Sequence, residues 1–136
     1  MQEGIQEEII EEFEVFDEWL DKYSYLIELS SSLEAMDNKY RNEKYVINGC
    51  QSRVWIAAEL KDGKIYFTAD SDAIITKGII ALLIRVYSGK TAEEILATEP
   101  YFIEKIGLSE NLSPTRANGL LAMLKQIKLY ALAYNN

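Results

Sequence analysis

The amino-acid sequence predicts an α+β fold in which helices pack on a small three-stranded antiparallel sheet. Three observations support this class: apolar residues recur at helical spacing near both chain ends, residues 53–69 alternate between apolar and polar, and the turns between alternating segments are short. The two periodicities indicate helices and strands, and short strand connections imply antiparallel pairing. With 136 residues and 49% apolar content, the chain is expected to form one domain over residues 1–136.

Two amphipathic helices are predicted before the sheet. In the first, apolar residues share one face and acids lie between them: Ile5, Ile9, Phe13, Phe16 and Leu20. In the second, the shared face is formed by Leu26, Leu29, Leu33 and Met36. A polar loop over residues 37–44 then leads into a predicted short first strand at residues 45–47.

The clearest local signal is a β-hairpin centred on Asp62-Gly63. This dipeptide suits the left-handed backbone of a two-residue turn, and alternating apolar residues flank it on both sides. With these two turn residues, Leu60 is expected opposite Ile65, and Ala58 opposite Phe67. One apolar sheet face then packs on the core.

The rest of the chain predicts three helices. Residues 73–87 are apolar nearly all round, which is typical of a buried central helix. Residues 91–97 begin with a threonine and early acids, which fits a capped short helix. Ser113 and Pro114 are favourable N-cap and first-turn residues, so a last helix is expected from there to about Tyr134.

The charge is unevenly distributed along the chain. Residues 1–43 carry 13 of the 22 acidic residues and 3 of the 14 basic ones. This acidic third argues against nucleic acid and against anionic membranes as partners. Both a solvated helix face and a surface that attracts a basic protein explain it. No apolar run reaches about 18 residues, and no signal peptide is recognisable, so a cytoplasmic protein without a membrane anchor is expected.

Cys50 is the single cysteine, and the chain has no histidine. One thiol cannot form an internal disulfide, and without histidine it is a poor basis for a zinc site or an activated cysteine–histidine pair. No metal site and no bound cofactor are therefore expected. Cys50 is either a small buried hydrophobic residue or a thiol that reacts together with another protein. The flanking Asn48, Gln51 and Ser52 are not core residues, and Gly49 allows another molecule's backbone to approach closely, so both observations support the second interpretation.

Two further positions carry charges that need a partner. Asp72, like Asp70, is suited to cap the central helix. Arg116 lies in the first turn of the last helix, where its charge opposes the helix dipole. A salt bridge to Asp70 or Asp72 is the structural explanation for Arg116, and a role in binding is the alternative.

Four segments of the sequence resemble the SufE family, the sulfur-acceptor partners of cysteine desulfurases, in the order found in that family. They are residues 23–29, residues 49–55, residues 70–73 with 77–78, and residues 112–120 with Met123. The resemblance covers nearly the whole chain and implies a SufE/IscU-like fold.

The resemblance also implies a function. Cys50 would take sulfur, as a persulfide, from a PLP-dependent cysteine desulfurase (SufS-like), stimulate that enzyme, and pass the sulfur to a downstream Fe-S scaffold. Gly49, Gln51 and Ser52 would support the cysteine loop. Asp72 and Arg116 would position this loop or dock the partner. The chain would then act as a sulfurtransferase-like carrier without a catalytic cofactor of its own.

Two other functions remain open at this point. A non-catalytic adaptor would dock to a desulfurase through the acidic surface, and its effect would weaken with salt. A cluster scaffold is disfavoured, because iron–sulfur clusters normally need several thiolates.

Overall fold

The computed structural model describes residues 2–47 and 52–135 and has the expected mixture of helices and strands. In chain order the elements are α1 (Gln2–Glu14), α2 (Trp19–Leu29), β1 (Val54–Lys61), β2 (Lys64–Ser71), α3 (Ile74–Tyr87), α4 (Ala92–Ala97), α5 (Phe102–Lys105), α6 (Leu108–Asn111) and α7 (Pro114–Tyr134). Single 3₁₀ turns lie at Ser30–Ser32 and Asn38–Tyr40.

The predicted hairpin is confirmed together with its register. Asp62 and Gly63 both adopt positive φ, 54° and 80°, as a tight turn between right-twisted strands requires. Leu60 pairs with Ile65, and Ala58 pairs with Phe67. The turn chemistry therefore determines which face of β2 enters the core.

The prediction of a third strand is wrong, because the described residues form a two-stranded sheet. Residues 45–47 contribute an isolated bridge, in which the Ile47 amide donates to the Val54 carbonyl (2.8 Å). Farther along the same edge of β1, side chains of helix α7 donate hydrogen bonds to the strand carbonyls. The Tyr130 hydroxyl donates to the Ile56 carbonyl (2.8 Å), and the Tyr134 hydroxyl donates to the Ala58 carbonyl (3.3 Å). These two hydroxyl groups thus satisfy carbonyls of β1 that the backbone of a third strand would otherwise bond.

The first predicted helix is divided into two. Helix α1 ends at Glu14, and Leu20, predicted to be inward, lies in the first turn of α2 with 72% of its surface exposed. Between the helices the chain turns so that Phe16 packs on the Tyr25 ring, with 5.4 Å between centroids. This contact between the segment that joins the helices and α2 outweighs the continuous helical periodicity.

The second helix is shorter than predicted, because three serines follow it. Each hydroxyl donates to the carbonyl three residues earlier, at distances of 2.6 to 2.8 Å. These bonds compete with the backbone hydrogen bonds of the helix, and α2 ends at Leu29. Met36, expected on the helix, is instead buried in the segment beyond the serine turn.

Helix α3 is the buried centre of the fold, as its composition predicts. It contacts α1, α2, α7 and β2. Its Gly78 faces the backbone of α2 at Leu26, where a Cβ would lie 2.9 Å from the carbonyl carbon. The two helices can approach this closely because glycine has no side chain.

The last helices begin as predicted, but two short helices between them were not foreseen. Thr91 and Glu94 form a reciprocal capping box at α4, and the Ser113 hydroxyl accepts from the Arg116 amide at the start of α7. The unforeseen elements α5 and α6 are single turns after Pro100. In α7, Leu121 is 64% exposed, whereas Gly119 and Met123 are buried.

Two lysines satisfy carbonyl groups near helix ends. Lys128 donates to the carbonyls of Ile95 (2.5 Å) and Thr98 (2.8 Å), and Lys90 donates to the Val86 carbonyl. Burial lowers the pKa of both ammonium groups. Their positions fit the structural role of closing helix C-termini.

A charged network ties α1 to α3 and gives a prediction on acid stability. Arg85 donates to both Glu12 carboxylate oxygens (2.9 and 2.5 Å), and the Tyr25 hydroxyl also donates to Glu12 (2.7 Å). Hydrogen bonding from Arg85 lowers the pKa of Glu12. The stabilisation is therefore present above the ordinary value of 4.5 and is lost as pH falls through the lowered value.

We expect Glu12→Gln to lower the free energy of unfolding at pH 7 by about 1 kcal/mol. The difference from the wild type should shrink in acid, as measured by urea unfolding at several pH values. Glu8→Gln is the control, because Glu8 is 65% exposed and makes one 3.4 Å contact with Arg85. A Glu12→Gln deficit that is constant with pH would mean that packing, rather than charge, is lost.

Candidate functional site

The candidate site is a cavity of about 400 Å³ between the start of the hairpin and helices α3 and α7. Its walls mix hydroxyl and apolar groups with one cation. They are formed by Ser52, Ala73, Thr76, Ile79, Ser113, Thr115, Arg116, Gly119 and Met123. The proline-started first turns of α7 supply most of one wall, and the beginning of α3 supplies another.

The structure describes only some of the residues that were predicted to form the cysteine site. Gly49, Cys50 and Gln51 lie outside the described residues, so their predicted roles stay predictions. Ser52 lines the cavity. It is the described residue that directly follows residues 48–51, the cysteine segment. The cavity is therefore lined at the point where the chain leaves that segment.

Asp72 holds the backbone just after this segment. Its carboxylate accepts from the Arg53 amide (3.1 Å), and its own amide donates to the Arg53 carbonyl (3.2 Å). The Ser71 hydroxyl donates to the same carbonyl at 2.8 Å. Three hydrogen bonds thus fix the residue three positions after Cys50.

The structural roles predicted for the two acids are wrong. Helix α3 begins after Ala73 and has no side-chain cap, so neither Asp70 nor Asp72 caps it. Asp70 instead forms ion pairs with Arg41 (2.5 Å) and Lys77 (3.4 Å). The expected salt bridge from Arg116 to either acid is not among the ion pairs of residues 2–47 and 52–135.

Arg116 has an aromatic partner that the sequence did not indicate. Its guanidinium carbon lies 5.8 Å from the centroid of the Tyr23 ring, within the range of a cation–π interaction. Tyr23 belongs to one of the four segments that carry the family resemblance, but no role was expected for it. Its distance in sequence from Arg116 explains why the pairing could not be inferred from local pattern.

Other parts of the described chain offer weaker candidates. Two grooves of about 410 and 390 Å³ share Tyr66 and Thr68 of β2, but neither is lined by Ile47 or Ser52, the described residues that flank the cysteine segment. Among the described residues no group of three or more acidic, cysteine or histidine side chains could hold a metal ion. Nor does any helix in that part have the length and apolar character needed to cross a membrane.

Comparison with known proteins adds family information to this geometry. The family model described as "SufE: Fe-S metabolism associated domain" matches residues 7–131. An uncharacterized SufE-like protein of Rhizobium etli is 39% identical over 127 residues, covering 90% of this chain and 86% of its own. A second uncharacterized SufE-like protein, from Rhizobium meliloti, has the same identity and covers 90% and 91%.

A solved structure supports the fold. The solution structure of a hypothetical protein from Thermus thermophilus matches with a TM-score of 0.77 at 22% identity. The match covers 95% of this chain and 94% of the other.

Proposed function

This chain belongs to the SufE family, and we propose that it accepts sulfur on Cys50 from a PLP-dependent cysteine desulfurase. The family description associates it with Fe-S metabolism. The observation that carries the finer proposal is the cavity beside the cysteine segment, which has an arginine in its wall. The whole chain would serve as one carrier domain in the cytoplasm, stimulating the desulfurase and relaying sulfur to an Fe-S scaffold.

The proposed transfer needs one nucleophile from this chain. The Cys50 thiolate attacks the outer sulfur of the donor's persulfide, the donor's sulfur–sulfur bond breaks, and the donor thiolate leaves. Cys50 then holds the sulfur as a persulfide, with no net oxidation. The absence of histidine and of a second cysteine is compatible with this step. A second nearby thiol would attack the persulfide and form a disulfide, with the transferred sulfur lost as sulfide.

The described residues support this chemistry at the edges of the cysteine segment. The bonds from Ser71 and Asp72 to Arg53 limit movement where the segment joins β1. The mixed apolar and hydroxyl walls of the cavity suit a sulfur atom that must be kept from solvent thiols. Arg116 supplies positive charge, which favours thiolates.

The test is an intact-mass measurement after incubation with a cysteine desulfurase, PLP and free cysteine, without reductant. We expect the chain to gain the mass of one sulfur atom and to lose it on addition of dithiothreitol. Cys50→Ser is the control and should gain nothing. If the wild type gains no sulfur from an enzyme that binds it and turns over, the carrier function is refuted and the adaptor function is favoured.

A further inference from the structure

Helix α7 presents an apolar stripe to solvent. Its other faces pack on β1, α3 and α4, but Leu121, Leu129 and Leu132 keep between 45 and 64% of their surface exposed. At about 3.6 residues per turn, these leucines and Lys125 fall within about a quarter of the helix circumference. Single exposed leucines are ordinary on a protein surface, whereas an aligned set of them marks a contact surface.

A groove of about 220 Å³ runs beside the stripe, between α7 and the segment that bridges to β1. Its described lining residues are Val46, Ile47, Ala122, Lys125, Gln126 and Leu129. Lys125 is the charged residue of this set, and it is exposed and has no ion pair within residues 2–47 and 52–135. The groove therefore combines apolar walls with a cation that no salt bridge neutralises.

The surface of α7 is locally basic on a chain whose net charge is −8. Residues 114–134 contain no acid, and their cations are Arg116, Lys125 and Lys128. Lys128 is turned inward, where its ammonium donates to carbonyls at the end of α4. Lys125 is thus the cation in the middle of the leucine stripe, and it favours a partner that brings a carboxylate.

A helix fits this surface better than a strand or a second copy of α7. The backbone groups of α7 are bonded within the helix, so they offer no edge for strand addition. From Leu121 to Leu132 the stripe extends about 16 Å, along which a second helix can pack its own apolar residues. A second copy that paired antiparallel, with Leu121 opposite Leu129, would set the two Lys125 ammonium groups against each other.

We propose that the leucine stripe and the groove bind an amphipathic helix of another protein, with its apolar residues against the three leucines and a carboxylate paired with Lys125. This differs from the adaptor function considered above, in which the acidic surface of residues 1–43 attracts a basic partner. The inference uses neither Cys50 nor the candidate cavity. It and the proposed sulfur transfer can therefore fail separately.

The probe is a labelled peptide about 18 residues long, with leucines three and four residues apart and glutamates between them. Its binding is followed by fluorescence anisotropy at about 0.15 M salt, which screens the distant acids of the chain. Leu121→Ser and Leu129→Ser should each weaken binding about five- to tenfold, because less apolar surface is buried. Lys125→Glu should weaken it about fivefold or more and should improve binding of the matching peptide with lysines in place of glutamates.

Leu20→Ser is the matched apolar control, since Leu20 is 72% exposed but lies on α2. Lys105→Glu is the charge control, since Lys105 is exposed on α5. Both should bind the acidic peptide as the wild type does, and circular dichroism checks that every variant is folded. Failure of the wild type to bind the acidic peptide overturns the proposal, as does an equal loss in Leu20→Ser and Leu129→Ser. Self-association of the chain that Leu121→Ser abolishes would assign the stripe to a second copy and overturn it too.

Discussion

Replacing Gly78 with alanine is expected to lower the free energy of unfolding by about 2 kcal/mol or more, because α2 and α3 would be forced apart. The added Cβ would meet the Leu26 carbonyl group, whose carbon lies 2.9 Å away. This neighbour is backbone, so a side-chain rotation cannot relieve the contact. The melting temperature should fall by roughly 6 °C or more, as measured by calorimetry.

Gly4→Ala is the matched control for this prediction. Gly4 also lies in a helix, but nothing is within 4 Å of a Cβ built there. Alanine should therefore stabilise α1 by about 0.5–1 kcal/mol through its higher helix propensity. If Gly78→Ala were as stable as Gly4→Ala, the close approach of α2 and α3 would not require a glycine at position 78.

Cys50→Ser is expected to abolish stimulation of the desulfurase while leaving binding to it intact. A serine hydroxyl is not ionised near neutral pH, so it cannot attack a persulfide as a thiolate does. Turnover should fall to that of the desulfurase alone. The measurement is the rate of alanine or sulfide release at several concentrations of the variant, with binding followed separately by calorimetry.

Ser52→Ala provides the control, because it alters the residue that follows the cysteine segment and lines the cavity but keeps the thiol. It should retain most of the stimulation. Stimulation that survives in Cys50→Ser and declines with added salt would instead support an adaptor acting through the acidic surface of residues 1–43. Cys50 would then be a packing residue.

Features set by adjacent residues were predicted correctly. The Asp62-Gly63 turn specifies the hairpin register, because a two-residue turn leaves one alignment of the flanking strands. The Thr91 capping box and the Ser113-Pro114 start of α7 likewise depend on contacts within one helical turn. The apolar run that becomes α3 is recognisable because ten of its 14 residues are buried, which leaves only a narrow polar stripe with Lys77 and Arg85.

Features decided by contacts between distant segments were missed. The edge of β1 is completed by Tyr130 and Tyr134 rather than by a full third strand, and this depends on where α7 lies. The break before α2 depends on the packing of Phe16 on Tyr25. In each case a contact between residues more than two helical turns apart competes with a local preference worth little free energy.

In the candidate site, too, some features follow from residue type and others from contacts between segments. The sequence by itself identified Cys50 as the single thiol and provided reasons to single out Asp72 and Arg116, because charge and reactivity belong to residue type. Only the tertiary structure decided their partners: Arg53 for Asp72 and Tyr23 for Arg116. The reason is physical, since a hydrogen bond or cation–π contact exists only when folding brings remote residues within a few ångströms.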